Sequence, residues 1–451
     1  MPVDQLPPAF TERISHQLGD EYPSFLEALS VAPPIGVRRN PLKPASLFPD
    51  ASPIAWCPEG MILSERPVFA LDPLWHAGAY YVQEPSSMLV DFALRSYYKG
   101  GSSDKILDLC AAPGGKTTLL AANAPFTSLI IANEVIRKRY SVLRENIARW
   151  GDERIQCTNH DPKDFVSLAG EFNLVLVDAP CSGEGLFRKD REAIQEWSPE
   201  NADICAHRQC GILAIAASLV ATDGLLIYCT CTFNPEENDD QIAPLLLSGD
   251  WENLQSDTPE EWGMIATTYG VQCWPHRVEG EGFYLAVLRR KTPAPRIESQ
   301  AGKGLTDYRP ATSREKELIY PYLTPLFTGD VVVRLSDGAI FTNPLRELDN
   351  ISNALPRMSF GIRIGEIKGK DFIPAHELAV STLVHADTDS LDLSFEEALR
   401  YLRRDALSAP DGIRHGWTLM RYQGLALGWA KTMPGRINNY LPMELRLRLR
   451  D

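Results

Sequence analysis

Lys105-Ile-Leu-Asp-Leu-Cys110-Ala-Ala-Pro-Gly-Gly-Lys116-Thr-Thr-Leu-Leu-Ala-Ala122 is the stretch on which the fold turns. An apolar strand, Ile106 to Leu109, runs into the loop Cys110 to Lys116 and then into a helix from Lys116 to Ala122. Adjacent glycines let a backbone approach a ligand closely, and the first turn of a helix presents unpaired N–H groups at its positive dipole end. A carboxylate fits there. The loop is neither GxxxxGK[ST] nor GxGxxG, which disfavours a nucleoside triphosphate or a dinucleotide. A tight structural turn is the plainer alternative.

Outward from this stretch, short apolar strands alternate with helices. Leu129 to Ala132, Leu174 to Val177 and Gly224 to Tyr228 read as strands, with another from about Arg154, and Ile136 to Trp150 and Pro199 to Leu219 read as helices. That order predicts an α/β fold with a doubly wound parallel sheet. Ser198 before Pro199 marks one helix start, and Gly151 after Trp150 marks one helix end. Strand-like Gly282 to Arg289 closes the region.

Residues 1–100 open with helical patterns, Pro8 to Leu18 and Tyr22 to Leu29, and then turn Pro-rich and irregular, predicting an ancillary layer before a core of residues 101–290. Residues 291–304, with Pro293, Pro295, Gly302 and Gly304, read as a linker. From 305 to 451 an α+β region is expected. In it Ser336-Asp337-Gly338 joins a hairpin of Val331 to Leu335 and Ala339 to Thr342, and Ser394-Phe-Glu-Glu397 is a capping box opening a helix to Arg404.

The chain has 451 residues, 44% of them hydrophobic, enough for two to four domains. It shows no run of about 18 apolar residues and no signal-peptide pattern, so a cytoplasmic protein without membrane contact is expected. Its nine cysteines lack a disulfide framework and read as reduced thiols. A net charge of −14 argues against a polyanionic partner. Cations are unevenly placed, however: Arg38, Arg39 and Lys43 lie close together, Arg137, Lys138 and Arg139 are contiguous, and the chain ends Arg446-Leu-Arg448-Leu-Arg450. Each cluster taken alone reads as a solvated face.

Glu134 follows the second strand, where a carboxylate can accept both hydroxyls of a ribose, and Asp161 follows the third, where it can meet an adenine amine. Acidic residues after successive strands of one sheet point to a nucleoside-type cofactor at a switch point. These residues do not separate S-adenosylmethionine from other nucleosides.

Leu174-Val-Leu-Val-Asp178 leads into Ala-Pro-Cys181-Ser-Gly183, and Leu225-Leu-Ile-Tyr228 into Cys-Thr-Cys231-Thr232, so two strand ends each deliver a thiol. Carbon 5 of cytosine is a weak nucleophile unless a thiolate first adds at carbon 6, and a carboxyl group such as Asp178 can assist at ring nitrogen 3. Either cysteine suits the task on chemistry alone. Buried thiols are more often inert packing, and Cys57, Cys110, Cys157, Cys205, Cys210, Cys229 and Cys273 are placed in that class. No CxxC pair supports a zinc site, and no metal is expected.

With Tyr228-Cys-Thr-Cys231-Thr-Phe-Asn-Pro-Glu-Glu237-Asn, Asp178-Ala-Pro-Cys181 and Cys110-Ala-Ala-Pro-Gly-Gly-Lys116, the chain resembles the Sun/Nop family of RNA cytosine-5 methyltransferases. The likeness extends through Arg38-Arg-Asn-Pro-Leu-Lys43, Tyr80-Tyr-Val-Gln-Glu-Pro-Ser-Ser87, Ser182-Gly-Glu-Gly-Leu-Phe-Arg-Lys-Asp190 and Gly280-Glu-Gly-Phe283. The appended C-terminal region resembles the RsmF group, which acts on small-subunit ribosomal RNA, and Gly424-Leu-Ala-Leu-Gly428 with Lys431, Arg436 and Asn438-Asn-Tyr440 resembles a PUA-like RNA-binding module.

The resemblance implies a class I (Rossmann-like) methyltransferase domain, an N-terminal helical RNA-binding extension and S-adenosylmethionine as methyl donor. It implies cofactor contacts from Cys110, Ala111, Ala112, Pro113, Gly114, Gly115, Lys116, Glu134, Asp161 and Asp178. It also assigns the thiols: Cys231 attacks and Cys181 aids release, the reverse of the DNA enzymes. The expected substrate is cytosine in 16S ribosomal RNA, single-stranded or flipped out, bound by a monomer that does not act on DNA. A transfer RNA methyltransferase and a non-catalytic RNA-binding assembly factor are the alternatives. Cys229 departs from the family, which often has serine there. Phe187 and Phe233, near the motifs, read as core.

Overall fold

The apolar runs of the central region are continuous, as strands buried on both faces must be. In the computed structural model, which describes residues 6–254, 257–294, 307–343, 348–356 and 358–449, they become the inner strands of one sheet.

Ahead of that sheet lie helices α1 (Pro8–Leu18) and α2 (Tyr22–Ser30), strands β1 (Ile35–Arg39), β2 (Ser52–Ile54), β3 (Cys57–Leu63) and β4 (Tyr80–Val82), and helices α3 (Pro73–His76) and α4 (Leu89–Tyr97). The four strands form an antiparallel sheet in the order β2-β3-β1-β4. The sequence predicts an irregular stretch here. The reason is physical: two of these strands are three residues long, and Pro53 and Pro58 interrupt the pattern by which strands are read.

The central sheet contains β5 (Lys105–Asp108), β6 (Leu129–Asn133), β7 (Ile155–Thr158), β8 (Phe172–Asp178), β9 (Val220–Thr230), β10 (Trp251–Asn253), β11 (Ile265–Ala266), β12 (Val271–Cys273) and β13 (Phe283–Arg290). Five of them run parallel in the order β7-β6-β5-β8-β9, and β13 joins β9 antiparallel. Between them run α5 (Gly115–Asn123), α6 (Arg137–Trp150), α7 (Arg191–Glu196), α8 (Pro199–Leu219) and α9 (Asp239–Leu247). The predicted signals sit at the helix ends: Ser198 accepts the Asn201 N–H at the start of α8, and Gly151 stops α6 at φ 83°.

Side chains alternate between two cores. On one face Ile106, Ile130, Leu174 and Ile227 meet Leu89, Leu119, Leu143 and Trp150; on the other Leu107, Ile131, Val175 and Leu226 meet Leu213, Ala216 and Leu219. Phe341, Ile351 and Phe360 of the C-terminal region complete the second face. That region holds a five-stranded sheet between Tyr308 and Pro374 and a four-stranded one between Ser390 and Asn439. The hairpin pairs Val331 with Thr342, and Ser394 with Glu397 closes the capping box of helix Phe395–Leu402. Of the segment 291–304, Lys291 donates to the Asp250 carbonyl at 2.8 Å; residues 295–304 lie outside the described residues, as do Leu305 and Arg450.

Arg38 and Lys43, read from sequence as part of a solvated cluster, are buried. Arg38 is 1% exposed; it donates to Gln83 Oε1 at 3.0 Å, the Gly115 carbonyl at 3.1 Å and Thr118, and lies over the Trp150 ring. Lys43 donates to the carbonyls of Ala77 and Arg149 at 2.9 and 2.7 Å. These two cations tie the N-terminal sheet to α5 and α6. Arg39 instead pairs with Glu59 at half-exposed positions. Replacing Arg38 by Met strands buried acceptors, so Arg38→Met is expected to lower unfolding stability by about 2–4 kcal/mol, and Arg39→Met by about 0.5 kcal/mol or less. Urea unfolding of the two variants side by side checks this; equal midpoints would contradict the assignment.

Candidate active site

In an open sheet, ligands bind beyond the carboxyl ends of the strands where the strand order reverses. Here the reversal falls between β5 and β8, so the loop after β5 and the loop after β8 face each other.

The first of these is Cys110 to Lys116. Gly114 takes φ +113°, a conformation side chains rarely adopt, and as N-cap of α5 it supplies no side chain to the helix's leading N–H groups. They remain for a carboxylate. Asp108, behind the loop, is wholly buried; Thr117 donates to one oxygen at 2.6 Å, the other has no partner among the described residues, and burial pushes its carboxyl up to about 7. Glu134, 2% exposed, accepts the Ile136 N–H at 2.8 Å and lies 3.4 Å from Arg139, whose other nitrogen donates to the Ala112 carbonyl at 2.7 Å. The Arg139 bridge joins the two strand ends. Val135 and Ile136 beside it are each 52% exposed, an apolar wall at the crevice.

Asp161 is exposed and makes no contact with the other site residues among those described. One of its oxygens accepts the Lys163 N–H at 3.0 Å. Asn159, two residues earlier, donates to the Glu134 and Val135 carbonyls at 2.6 and 2.9 Å and holds this strand end at the crevice.

A nucleoside carrying a carboxylate fits this half. The uncapped N–H groups suit the carboxylate, Glu134 the ribose, and Val135 with Ile136 a base.

The second half is made by β8 and β9, which pair in parallel with Asp178 opposite Cys229. Cys181 Sγ and Cys231 Sγ lie 3.2 Å apart, and the Cys231 N–H points to Cys181 Sγ at 3.4 Å. The hydrogen bond with Cys231 and burial raise the Cys181 thiol well above its ordinary range. Lys116, from the cofactor-side loop, crosses to Asp178, Nζ to Oδ2 at 2.8 Å, and sits 5.1 Å over the Phe283 ring. Burial lowers the Lys116 ammonium, but Asp178 and the nearby sulfurs of Cys229 and Cys231 outweigh it and raise it above the ordinary lysine range. Cys229 is fully buried, 3.6 Å from the other Asp178 oxygen, and its thiol is pushed well up by burial and Asp178. A cavity of about 420 Å³ opens on Cys181. Of the thiols assigned to packing, Cys210 is exposed on α8.

Two further carboxylates organise this half; Glu184 has no short-range signature in the sequence, and Glu237 has only that of the third residue after the N-cap Asn234, which accepts its N–H at 2.8 Å. Glu237 accepts the Ser182 N–H and Gln209 at 2.8 Å each, together with the Ser182 hydroxyl and Asn234. Glu184 accepts the Phe233 N–H at 3.0 Å and the Trp197 indole at 2.9 Å, and pairs with Arg13 of α1. Both span the loops that carry the thiols. Gly185 passes so close that a Cβ there would stand 2.5 Å from the Gly282 carbonyl and 2.9 Å from that of Cys231. Phe187 and Phe233 are core residues, Phe233 stacked 4.5 Å from Trp274. Through Phe10 and Phe25, α1 and α2 pack on this cluster, so the N-terminal layer walls the thiol loops.

Comparison with known proteins gives a consistent pattern. A family model described as 16S rRNA methyltransferase RsmB/F matches residues 98–289, the N-terminal domain of 16S rRNA methyltransferase RsmF matches 6–85, and the methyltransferase RsmF PUA domain matches 388–447. The ribosomal RNA small subunit methyltransferase F of Psychromonas ingrahamii is 33% identical over 417 residues, covering 87% of this chain and 85% of that protein. That of Erwinia tasmaniensis is 30% identical over 464 residues, covering 97% and 96%. Among solved structures, a methyltransferase homolog protein from Pyrococcus horikoshii is 25% identical with a TM-score of 0.51, over 63% of this chain and 100% of that one. NSun6 from the same organism shares the fold at 18% identity, with a TM-score of 0.53 over 64% and 100%.

All the Glu237 partners donate, so a side-chain amide in its place sets N–H against N–H. Glu237→Gln is expected to speed amide exchange in 181–187 and 231–238 by about tenfold or more, the equivalent of one lost charge-assisted hydrogen bond. Strands β5 and β6 should be unaffected. Exchange mass spectrometry of both proteins reads this, and unchanged loop protection would refute the clamp.

Proposed function

The chain belongs to the RsmF family of ribosomal RNA small-subunit methyltransferases, and from that premise we infer that it methylates carbon 5 of a cytosine in 16S ribosomal RNA. Cys231 is its nucleophile. The observation that carries this reading is the pair of thiols 3.2 Å apart beside the Lys116–Asp178 ion pair at the strand-order reversal.

S-adenosylmethionine, held by the Cys110–Lys116 loop, Glu134 and Asp161, supplies the methyl group to carbon 5 when bound. The rest falls to side chains. Cys231 adds through sulfur to carbon 6, and its proton passes to ring nitrogen 3 with Asp178 as the relay, leaving carbon 5 electron-rich. Lys116 pairs with Asp178 close to the Cys231 sulfur, where its positive charge meets the negative charge that develops during the addition. Once carbon 5 carries the methyl group, its proton moves to Cys181 while Cys181 hands its own to the departing Cys231 sulfur. The carbon 5–carbon 6 double bond re-forms, the sulfur–carbon 6 bond breaks, and the ring nitrogen 3 proton goes to solvent. The raised Cys181 thiol suits this: it is protonated before the reaction and strongly basic once it has given its proton up.

The RsmF PUA match at 388–447 supports RNA rather than DNA as partner. Among the described residues no helix is long and apolar enough to cross a membrane. We read the active unit as a cytoplasmic monomer, since both thiols and the whole crevice come from one chain.

Labelled methyl transfer to deproteinised 16S RNA, transfer RNA and assembled small subunits tests the reading. Label in small-subunit RNA alone is expected, with Cys231→Ala silent. Cys181→Ala is expected to accumulate an RNA–protein adduct that survives denaturation, and Asp178→Asn to slow transfer by about 10²–10⁴-fold. Label in transfer RNA would reassign the substrate, and binding with no label would leave an assembly factor.

A further inference from the structure

Where the C-terminal end of the chain meets the outer edge of the central sheet, a cavity of about 550 Å³ opens among α6, Trp75 and His76, residues 359–363 and residues 441–449. That is the size of a pocket for one nucleotide-sized group. Its interior is apolar and aromatic, with Ile147, Phe360 and Leu427 in the wall, and its rim carries Arg144, Arg363, Arg446 and Arg448.

None of these four arginines is ion-paired to a carboxylate among the described residues, and Arg363 Nε is buried without a hydrogen-bond partner. The acids in the same wall are largely engaged. Glu145 faces Arg149 at 3.8 Å, and Asp152 pairs with Arg154, which leaves Glu377 and Glu444 against four guanidiniums without a salt bridge, of which Arg363 also feels the more distant Asp337. Like charges gathered around one opening repel until an anion enters. Arg149, 3.9 Å over the Trp75 ring, adds a flat cationic and aromatic surface of the kind on which unstacked bases lie.

One face of α6 leads from the crevice toward the cavity. Arg137, Ser141, Arg144 and Ala148 follow helical spacing on one face of α6, and the last three line the cavity. At the rise of an α-helix that face runs about 16 Å from Arg137 to Ala148. Arg137 stands three residues after Glu134, and both it and Lys138 are exposed. A strand leaving the thiol crevice can follow this face with its phosphates on Arg137 and Arg144.

We propose that the cavity between α6 and residues 441–449 holds a nucleotide of the substrate RNA beyond the methylated cytosine, its base against the apolar interior and its phosphates on Arg144, Arg363, Arg446 and Arg448. This rests on reading the chain as an RNA methyltransferase and adds a second grip to it, remote from the thiols. The shared chemistry is a phosphate-bearing nucleotide, and the arms of the test separate a strand of RNA from a free nucleotide.

The experiment compares the full chain with Arg446→Ala/Arg448→Ala and Arg144→Ala/Arg363→Ala, measuring anisotropy of a labelled 16S RNA fragment across a salt series. S-adenosylmethionine affinity serves as the check on folding. Each double variant is expected to bind RNA about tenfold more weakly, with the slope of log K against log salt shallower by about 1.4, or about 0.7 for each lost single-strand phosphate contact. Cofactor affinity should not change. Arg446 and Arg448 are exposed, so their pair decides the matter if the other perturbs the fold. Unchanged RNA affinity and slope in that pair would overturn the proposal. So would uridine monophosphate binding that these substitutions abolish while RNA binding stays intact. If the wild type binds RNA through these arginines but methylates none, the catalytic reading fails and the grip stands.

Discussion

The site depends on β8 and β9 lying side by side and parallel. Their register sets Asp178 opposite Cys229, so the residues just past each strand end, three along on one and two along on the other, emerge together. Strands about 4.8 Å apart bring such residues near each other but not into contact. Contact at 3.2 Å between Cys181 and Cys231 needs the loops to be drawn inward, and Glu184, Glu237 and Gly185 do this. A buried carboxylate is costly unless several donors converge on it. Here the donors come from both loops, so the arrangement that satisfies each charge is the one that aligns the sulfurs.

The same logic explains why the N-terminal layer belongs to the site. Arg13 completes the partners of Glu184, and Phe10 and Phe25 cover the aromatic cluster beneath the thiol loops. On the other side, Arg38 reaches the Gly115 carbonyl and Thr118 at the start of α5. That helix's opposite groups face the cofactor crevice. A layer that looks ancillary in sequence thus braces both halves, one through a buried carboxylate and one through a buried guanidinium.

How far the sequence alone reaches follows from the range of each interaction. The central strands and helices could be read because apolar runs, the Ser198–Pro199 start and the Gly151 stop act within a few residues. The thiols could be read because each follows a strand, and Glu134 for the same reason. The N-terminal sheet could not: its strands are short, carry prolines, and owe their pairing to segments tens of residues away. The clamp that Glu184 and Glu237 make between the loops was equally hidden, since the Phe233 and Ser182 N–H groups that they hold across the site lie about 50 residues off in the chain. Asp161 stands in register after its strand, with one oxygen accepting the Lys163 N–H of its own turn.

Net charge deserves a different weight from the one composition gives it. Screening at physiological salt confines a charge's influence to about 8 Å, so an RNA strand senses the cations near its path rather than a total of −14. Part of the basic complement is moreover withdrawn from the surface: Arg38, Lys43, Arg154 and Arg290 are buried, satisfying carbonyls and carboxylates inside the fold. Where the remaining cations stand therefore matters more than how many there are. Arg137 and Lys138 stand at the crevice end of α6, with Arg144, Arg363, Arg446 and Arg448 around the cavity at its far end. On the proposed route these cations are the nearest counter-charges to a strand leaving the thiols, and within a screening length it is they, rather than the acidic remainder, that set its binding.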